Sequence, residues 1–126
     1  MRICKGIFIV DDDPYFRMIL EKRIRRQHPD LPLHFFGEAT EMAEAMRSQF
    51  LEDWPEIFLI DINLPGDSGW DILRTYEAFF NRHKELGGRT FITSSSVFYT
   101  DLEKANSSPV IAGYFTKPVD PTDLGL

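Results

Sequence analysis

Two apolar runs in this chain end abruptly in carboxylates. Ile7-Phe8-Ile9-Val10 leads into Asp11-Asp12-Asp13-Pro14, and Ile57-Phe58-Leu59-Ile60 leads into Asp61. A third run, Tyr114-Phe115-Thr116, ends in Lys117-Pro118, and Thr90-Phe91-Ile92-Thr93 runs into Ser94-Ser95-Ser96. Two carboxylates about 4 Å apart repel by roughly 4 kcal/mol at an effective dielectric near 20, so an acidic cluster of this kind needs positive charge within it. Hard oxygen donors beside an open position suit Mg²⁺, which takes one or two carboxylates together with waters and phosphate oxygens. Lys117 supplies a second cation on a flexible stem. A carboxylate flanked by both is a competent nucleophile toward a phosphoryl group, because the cations neutralise charge on the transferring oxygens. Asp61, a single Asp ending the most central apolar run, is the candidate, and the Ser94 hydroxyl is placed to bond the new phosphoryl oxygens.

These residues converge only if the runs are neighbouring strands that end on one side. The apolar runs alternate with longer amphipathic stretches, which is the pattern of βαβ units feeding a parallel sheet. Strands are expected at Lys5 to Val10, Leu33 to Phe36, Ile57 to Ile60, Thr90 to Thr93 and Ile111 to Thr116. Pro14 opens a helix that runs to about Gln27, with Phe16, Ile19, Leu20 and Ile24 on one face and His28-Pro29 as its stop. A second helix passes through Met42, Ala45, Met46 and Phe50, and a third runs from about Trp70 to His83, closed by Gly87-Gly88. A shorter helix covers about Thr100 to Asn106. Doubly wound sheets gather ligands at the carboxyl ends of their strands, where these polar groups stand.

Length and composition bound the remaining choices. The 126 residues, 43% hydrophobic, suit one domain with an ordinary core. A net charge of −6 argues against sequence-independent binding of nucleic acid by the domain itself. The basic cluster Lys22-Arg23 and Arg25-Arg26 reads as a solvated helix face. The apolar runs are too short to span a membrane, the N-terminus lacks a signal-peptide pattern, and the single cysteine, Cys4, fits a reducing compartment. The expectation is therefore a cytoplasmic protein. His28, His34 and His83 have no paired ligand and read as structural, and Trp54 and Trp70 read as packing.

Taken together, four motifs resemble the receiver domains of two-component response regulators. They are Val10-Asp11-Asp12-Asp13-Pro14, Leu59-Ile60-Asp61-Ile62-Asn63-Leu64-Pro65, Ile92-Thr93-Ser94-Ser95-Ser96 and Tyr114-Phe115-Thr116-Lys117-Pro118. The resemblance implies a three-layer, flavodoxin-like fold with a five-stranded parallel sheet in the order 2-1-3-4-5. It implies a signalling domain rather than an enzyme, with Asp61 as phosphoacceptor and a histidine kinase or phosphotransfer protein as donor. Asp12 would bind Mg²⁺ or Mn²⁺ directly, Asp11 through water, and Asn63 through its backbone carbonyl, while Lys117 would pair with the phosphoryl group across a cis bond to Pro118. Ser94 is the expected switch hydroxyl, its spacing to Asp101 and Ala105 favouring it over Thr93, and Tyr114 the expected aromatic switch. Asp13 reads as a helix-start residue. Asn63 and Ser96 stand at positions that influence dephosphorylation in the family.

One departure stands out: Val119 to Leu126 replaces the long fifth helix usual in such domains, so that element is expected to be short or absent. The sheet flank beneath it is expected to be exposed, or covered by a second copy in a homodimer, by a downstream protein partner or by an output domain of a longer protein. Two other readings compete. A pseudo-receiver would keep the fold as a protein-binding module without the switch. A metal-dependent phosphohydrolase would require a second Asp two residues after the nucleophile, where Asn63 stands.

Overall fold

The computed structural model describes residues 6–48, 54–64, 68–95 and 98–126. The sequence readings on Cys4, Lys5, Phe50, Pro65 and Ser96 lie outside them. Five strands, β1 (Ile7–Val10), β2 (Leu33–Phe36), β3 (Ile57–Asp61), β4 (Arg89–Ser94) and β5 (Ile111–Thr116), form one sheet in the order β2-β1-β3-β4-β5. Every pairing is parallel. β1 and β3 are buried along their whole length, whereas the edge strands β2 and β5 are largely half-buried. Continuous apolar runs are what a parallel sheet covered on both faces demands of its central strands.

Alternation along those runs divides the core in two. Phe8, Val10, Phe58, Ile60 and Ile92 face one side and pack with Met42, Met46, Ile72 and Phe80. Ile7, Ile9, Ile57, Leu59 and Phe91 face the other and pack with Phe16, Leu20 and Ile24. The latter three come from α1 (Pro14–Gln27), which Asp13 caps by accepting the Tyr15 N–H at 2.9 Å. The first face is covered by α2 (Ala39–Ser48), α3 (Gly69–Thr75) and α4 (Glu77–Glu85). α5 (Tyr99–Ser107) precedes β5.

Two expectations need correction. The single helix expected from Trp70 to His83 is interrupted at Tyr76, whose backbone leaves the helical region at φ −113° and ψ 26°. The Tyr76 ring packs on Phe79 and under the Arg47 guanidinium of α2, contacts that accompany the redirected chain. The sheet flank expected to be exposed, or covered by another chain or domain, is covered in part by the chain's own tail. Pro121–Leu124 forms a single 3₁₀ turn, begun by a reciprocal cap between Asp120 and Asp123 and ended by Gly125 at φ +81°. Through it Val119 and Leu124 are buried against the Phe16, Leu20 and Phe91 side of the core. The element after β5 is therefore short, as expected.

His83, in the last turn of α4, is part of the core. It is 1% exposed, its ring lies 4.0 Å from that of Phe58, and Nε2 sits 3.3 Å from the Arg89 carbonyl. Gly88 leaves room for the ring, since a Cβ there would stand 2.0 Å from it. Gly87 at φ +89° makes the αL turn that returns the chain over His83, with the Gly88 N–H donating to the His83 carbonyl at 2.8 Å.

Burial lowers the His83 pKa from 6.5 to about 4, against hydrogen bonds that raise it. A depressed histidine pKa stabilises the fold above the unfolded value and loses that stability as pH falls from 6.5 toward 4. Urea denaturation should show about 2 kcal/mol lost through this group between pH 7.5 and pH 5. In His83→Leu the pH slope over that interval should flatten, whatever the variant's absolute stability. An unchanged slope would refute the assignment.

Candidate phosphoryl-transfer site

Parallel pairing brings the carboxyl ends of β1, β3, β4 and β5 to one edge of the sheet. Asp11 leaves β1 with its N–H on the Phe36 carbonyl at 2.9 Å, and its Oδ1 accepts the Asp13 N–H at 2.9 Å. Asp61 ends β3, and its Oδ1 accepts the Asn63 N–H at 2.8 Å. These two side chains are almost fully buried, while Asp12 between Asp11 and the start of α1 is exposed. Asp11, Asp12 and Asp61 each offer one carboxylate oxygen such that the three lie within 4.8 Å of one another.

The positive charge required by that cluster comes from β5. Lys117 Nζ lies 2.7 Å from Asp11 Oδ2 and donates to Asp61 Oδ2 at 3.1 Å. It also sits 4.6 Å from the centre of the Phe16 ring, a cation–π contact that walls one side of the ammonium. The Lys117–Pro118 bond is cis, as the family resemblance implied. Burial raises the Asp11 pKa above the ordinary carboxylate value, and Lys117 and the Asp13 N–H only partly offset it. For Lys117, burial works against the charge, but the two carboxylates overcome it and hold the pKa above that of a free lysine.

The fourth strand supplies the hydroxyl. Ser94 is fully buried, and its Oγ accepts from Asn63 Nδ2 at 3.0 Å. Its carbonyl accepts the Lys117 N–H at 2.8 Å, so the main chains of β4 and β5 are joined beside the carboxylates. Thr93 is buried in register with Asp61, and its carbonyl accepts the Ile62 N–H at 3.0 Å. Tyr114 pairs with Ile92 and is half-buried against the core face beneath α2, α3 and α4. Two contacts lay beyond the sequence reading. The Asn63 side chain reaches β4, and Trp70 at the start of α3 donates to Asp101 Oδ1 of α5 at 3.0 Å.

The donor set suits a hard divalent cation. It consists of oxygens only, and Asp11 Oδ2 is buried without a directed hydrogen bond despite its proximity to the ammonium. Beside it, a groove of about 350 Å³ opens between α1 and the end of β5, lined by Tyr15, Phe16, Ile19, Ser95, Lys117 and Pro118, among others.

The response regulator receiver domain family matches residues 7–125. This chain belongs to that family. Receiver domains are the signalling modules of two-component systems and work with histidine kinases and output domains. This receiver domain is 30% identical to the nitrate/nitrite response regulator protein NarL of Escherichia coli K12 over 118 residues, 94% of the chain and 50% of NarL. It is 31% identical to the transcriptional activator protein ExaE of Pseudomonas putida over 90 residues, 65% of the chain and 40% of ExaE. The chain thus spans about half or less of the length of these relatives. Among solved structures, a two-component response regulator from Cytophaga hutchinsonii superposes with a TM-score of 0.88 at 25% identity, over 98% of this chain and 93% of that one. Among the described residues of this receiver domain, no helix is long and apolar enough to cross a membrane.

Removing the central cation should be costly, because it leaves two buried carboxylates unneutralised. Lys117→Met should lose roughly 3 kcal/mol of unfolding free energy at pH 7 in urea denaturation. Adding Asp61→Asn should restore part of that loss. A Lys117→Met midpoint equal to wild type would show that the ammonium does not hold the acidic cluster.

Proposed function

We propose that this receiver domain accepts a phosphoryl group on Asp61 from the phosphohistidine of a histidine kinase or phosphotransfer protein, and thereby switches a protein-interaction surface. The observation that carries this reading is the placement of one ammonium between the buried carboxylates of Asp11 and Asp61, with Asp12 completing the acidic cluster. Asp11, Asp12 and Asp61, with the Asn63 backbone carbonyl, are the groups that would hold Mg²⁺ or Mn²⁺, which when bound supplies positive charge for the transferring oxygens.

Asp61 Oδ1 is engaged by the Asn63 N–H, so Oδ2, which faces Lys117, is the attacking oxygen. Its lone pair forms the new O–P bond as the P–N bond to the donor imidazole breaks, and that electron pair stays on the ring nitrogen. Lys117 then shifts its donors from carboxylate to phosphoryl oxygen, a charge-assisted contact. The groove beside Lys117, with Tyr15 exposed at its edge, gives the donor protein a place to rest.

Ser94 donates to the added oxygens and Tyr114 follows on the neighbouring strand, which changes the surface around α5 and β5 that a downstream partner or an output domain reads. Moving such an equilibrium from 1:99 to 99:1 takes roughly 5.5 kcal/mol of preference for the active form. A few charge-assisted hydrogen bonds from Ser94 and Lys117 are of the right size.

Incubation with acetyl phosphate or phosphoramidate and Mg²⁺ should add the mass of one phosphoryl group to the intact protein. Chelation of the metal, or Asp61→Asn, should abolish the gain. Wild type that stays unlabelled with every donor would leave a binding module without the switch, and sustained turnover of a phosphomonoester would point to a hydrolase.

A further inference from the structure

Four contacts close a circuit around the site. Asp61 Oδ1 holds the Asn63 N–H at 2.8 Å, Asn63 Nδ2 holds Ser94 Oγ at 3.0 Å, the Ser94 carbonyl holds the Lys117 N–H at 2.8 Å, and Lys117 Nζ returns to Asp61 Oδ2 at 3.1 Å. Three strand ends are joined in this way, and the only link made by two uncharged side chains is Asn63 to Ser94. We propose that Asn63 is a positioning residue whose side-chain amide sets the polarity of the Ser94 hydroxyl, so that the hydroxyl donates to the phosphoryl group. This rests on Asp61 being the phosphoacceptor.

A serine hydroxyl has one hydrogen to give and two lone pairs to accept with, whereas an amide nitrogen only gives. With Asn63 Nδ2 donating to a lone pair of Ser94 Oγ, the hydroxyl cannot give its hydrogen to that amide nitrogen, and a phosphoryl oxygen, an acceptor only, can engage Ser94 only through that hydrogen. The weaker contact from Asn63 Nδ2 to Ser95 Oγ, 3.5 Å, has the same polarity.

The link also survives phosphorylation of the oxygen that faces Lys117. Attack through Oδ2 leaves Oδ1 as the carbonyl oxygen of the acyl phosphate, still able to accept the Asn63 N–H. Asn63 therefore stays anchored to the modified residue while its side chain holds Ser94. An aspartate at position 63 would reverse the polarity, because a carboxylate accepts the Ser94 hydrogen and withdraws it from the phosphoryl group.

The test compares wild type with Asn63→Ala, Asn63→Asp, Ser94→Ala and Asn63→Asp/Ser94→Ala, each checked for folding by circular dichroism. Acetyl phosphate with Mg²⁺ is the phosphodonor, intact mass reports transfer, and tryptophan fluorescence reports the response. Trp70 is bonded to α5, the helix that follows Ser94, and the other tryptophan, Trp54, is buried beside Phe58 and His83.

The result is read in the Asn63 variants as fluorescence change per phosphoryl group gained, with intact mass supplying the denominator. Their fluorescence change should fall at least fivefold in Asn63→Asp, to the level of Ser94→Ala, and by a smaller factor in Asn63→Ala. The double variant should respond no less than Ser94→Ala alone, because both changes remove one interaction. A full response in Asn63→Asp, independent effects of the two substitutions, or an Asn63→Asp protein that takes no label while wild type does, would overturn the positioning role alone. Wild type without label would overturn the phosphoacceptor reading and this inference with it.

Discussion

Lys117 extends from the end of β5 to carboxylates on β1 and β3, and the geometry of the site follows from what that ammonium must neutralise. Asp11 and Asp61 are too deeply buried for water to screen them, so each costs free energy unless a cation lies within ion-pair distance. The lysine can meet both only if β1, β3 and β5 end at the same level. β4, between β3 and β5, is drawn into the arrangement through the Ser94 carbonyl and the Lys117 N–H. Phe16 of α1 closes the apolar side of the ammonium, so the first helix is tied to the last strand as well.

The sheet can hold this concentration of charge because the remainder of the central strands is apolar. Each face has its own core, and Ile7, Phe8, Ile9 and Val10 alternate between them up to the residue before Asp11. The transition from hydrocarbon to carboxylate takes a single residue on both β1 and β3. A change in charge at Asp61 therefore acts first on the side chains bonded to it at the strand ends, Asn63 and Lys117.

Much of this was legible in the sequence because the relevant signals were local. Uninterrupted apolar runs announced the strands, Pro14 and His28-Pro29 bracketed α1, and Asp61 and Lys117 each sat directly behind a run. The features that escaped depended on contacts without a local marker. Neither glycine nor proline marks Tyr76, where the expected helix divides. His83 looks like a helix-end residue, and only the approach of Gly88 and Phe58 buries it. The bond from Asn63 to Ser94 spans 31 residues of sequence. The tail after Pro118 is too short for a covering helix, yet one 3₁₀ turn brings Val119 and Leu124 onto the same apolar face.

Asp11, Asp12 and Asp61 form an acidic cluster in which Lys117 pairs with Asp11 and Asp61, and we propose that this cluster also holds a divalent cation. Thermal unfolding across a Mg²⁺ titration tests it most directly, since a ligand that binds the native state raises its stability by mass action. Wild type should show a melting temperature that rises and saturates with Mg²⁺. Asp12→Asn and Asp61→Asn should each shift that rise to markedly higher concentration, with Ca²⁺-free, matched ionic strength throughout. A wild-type melting temperature that does not respond to Mg²⁺, or a response identical in all three proteins, would contradict the account.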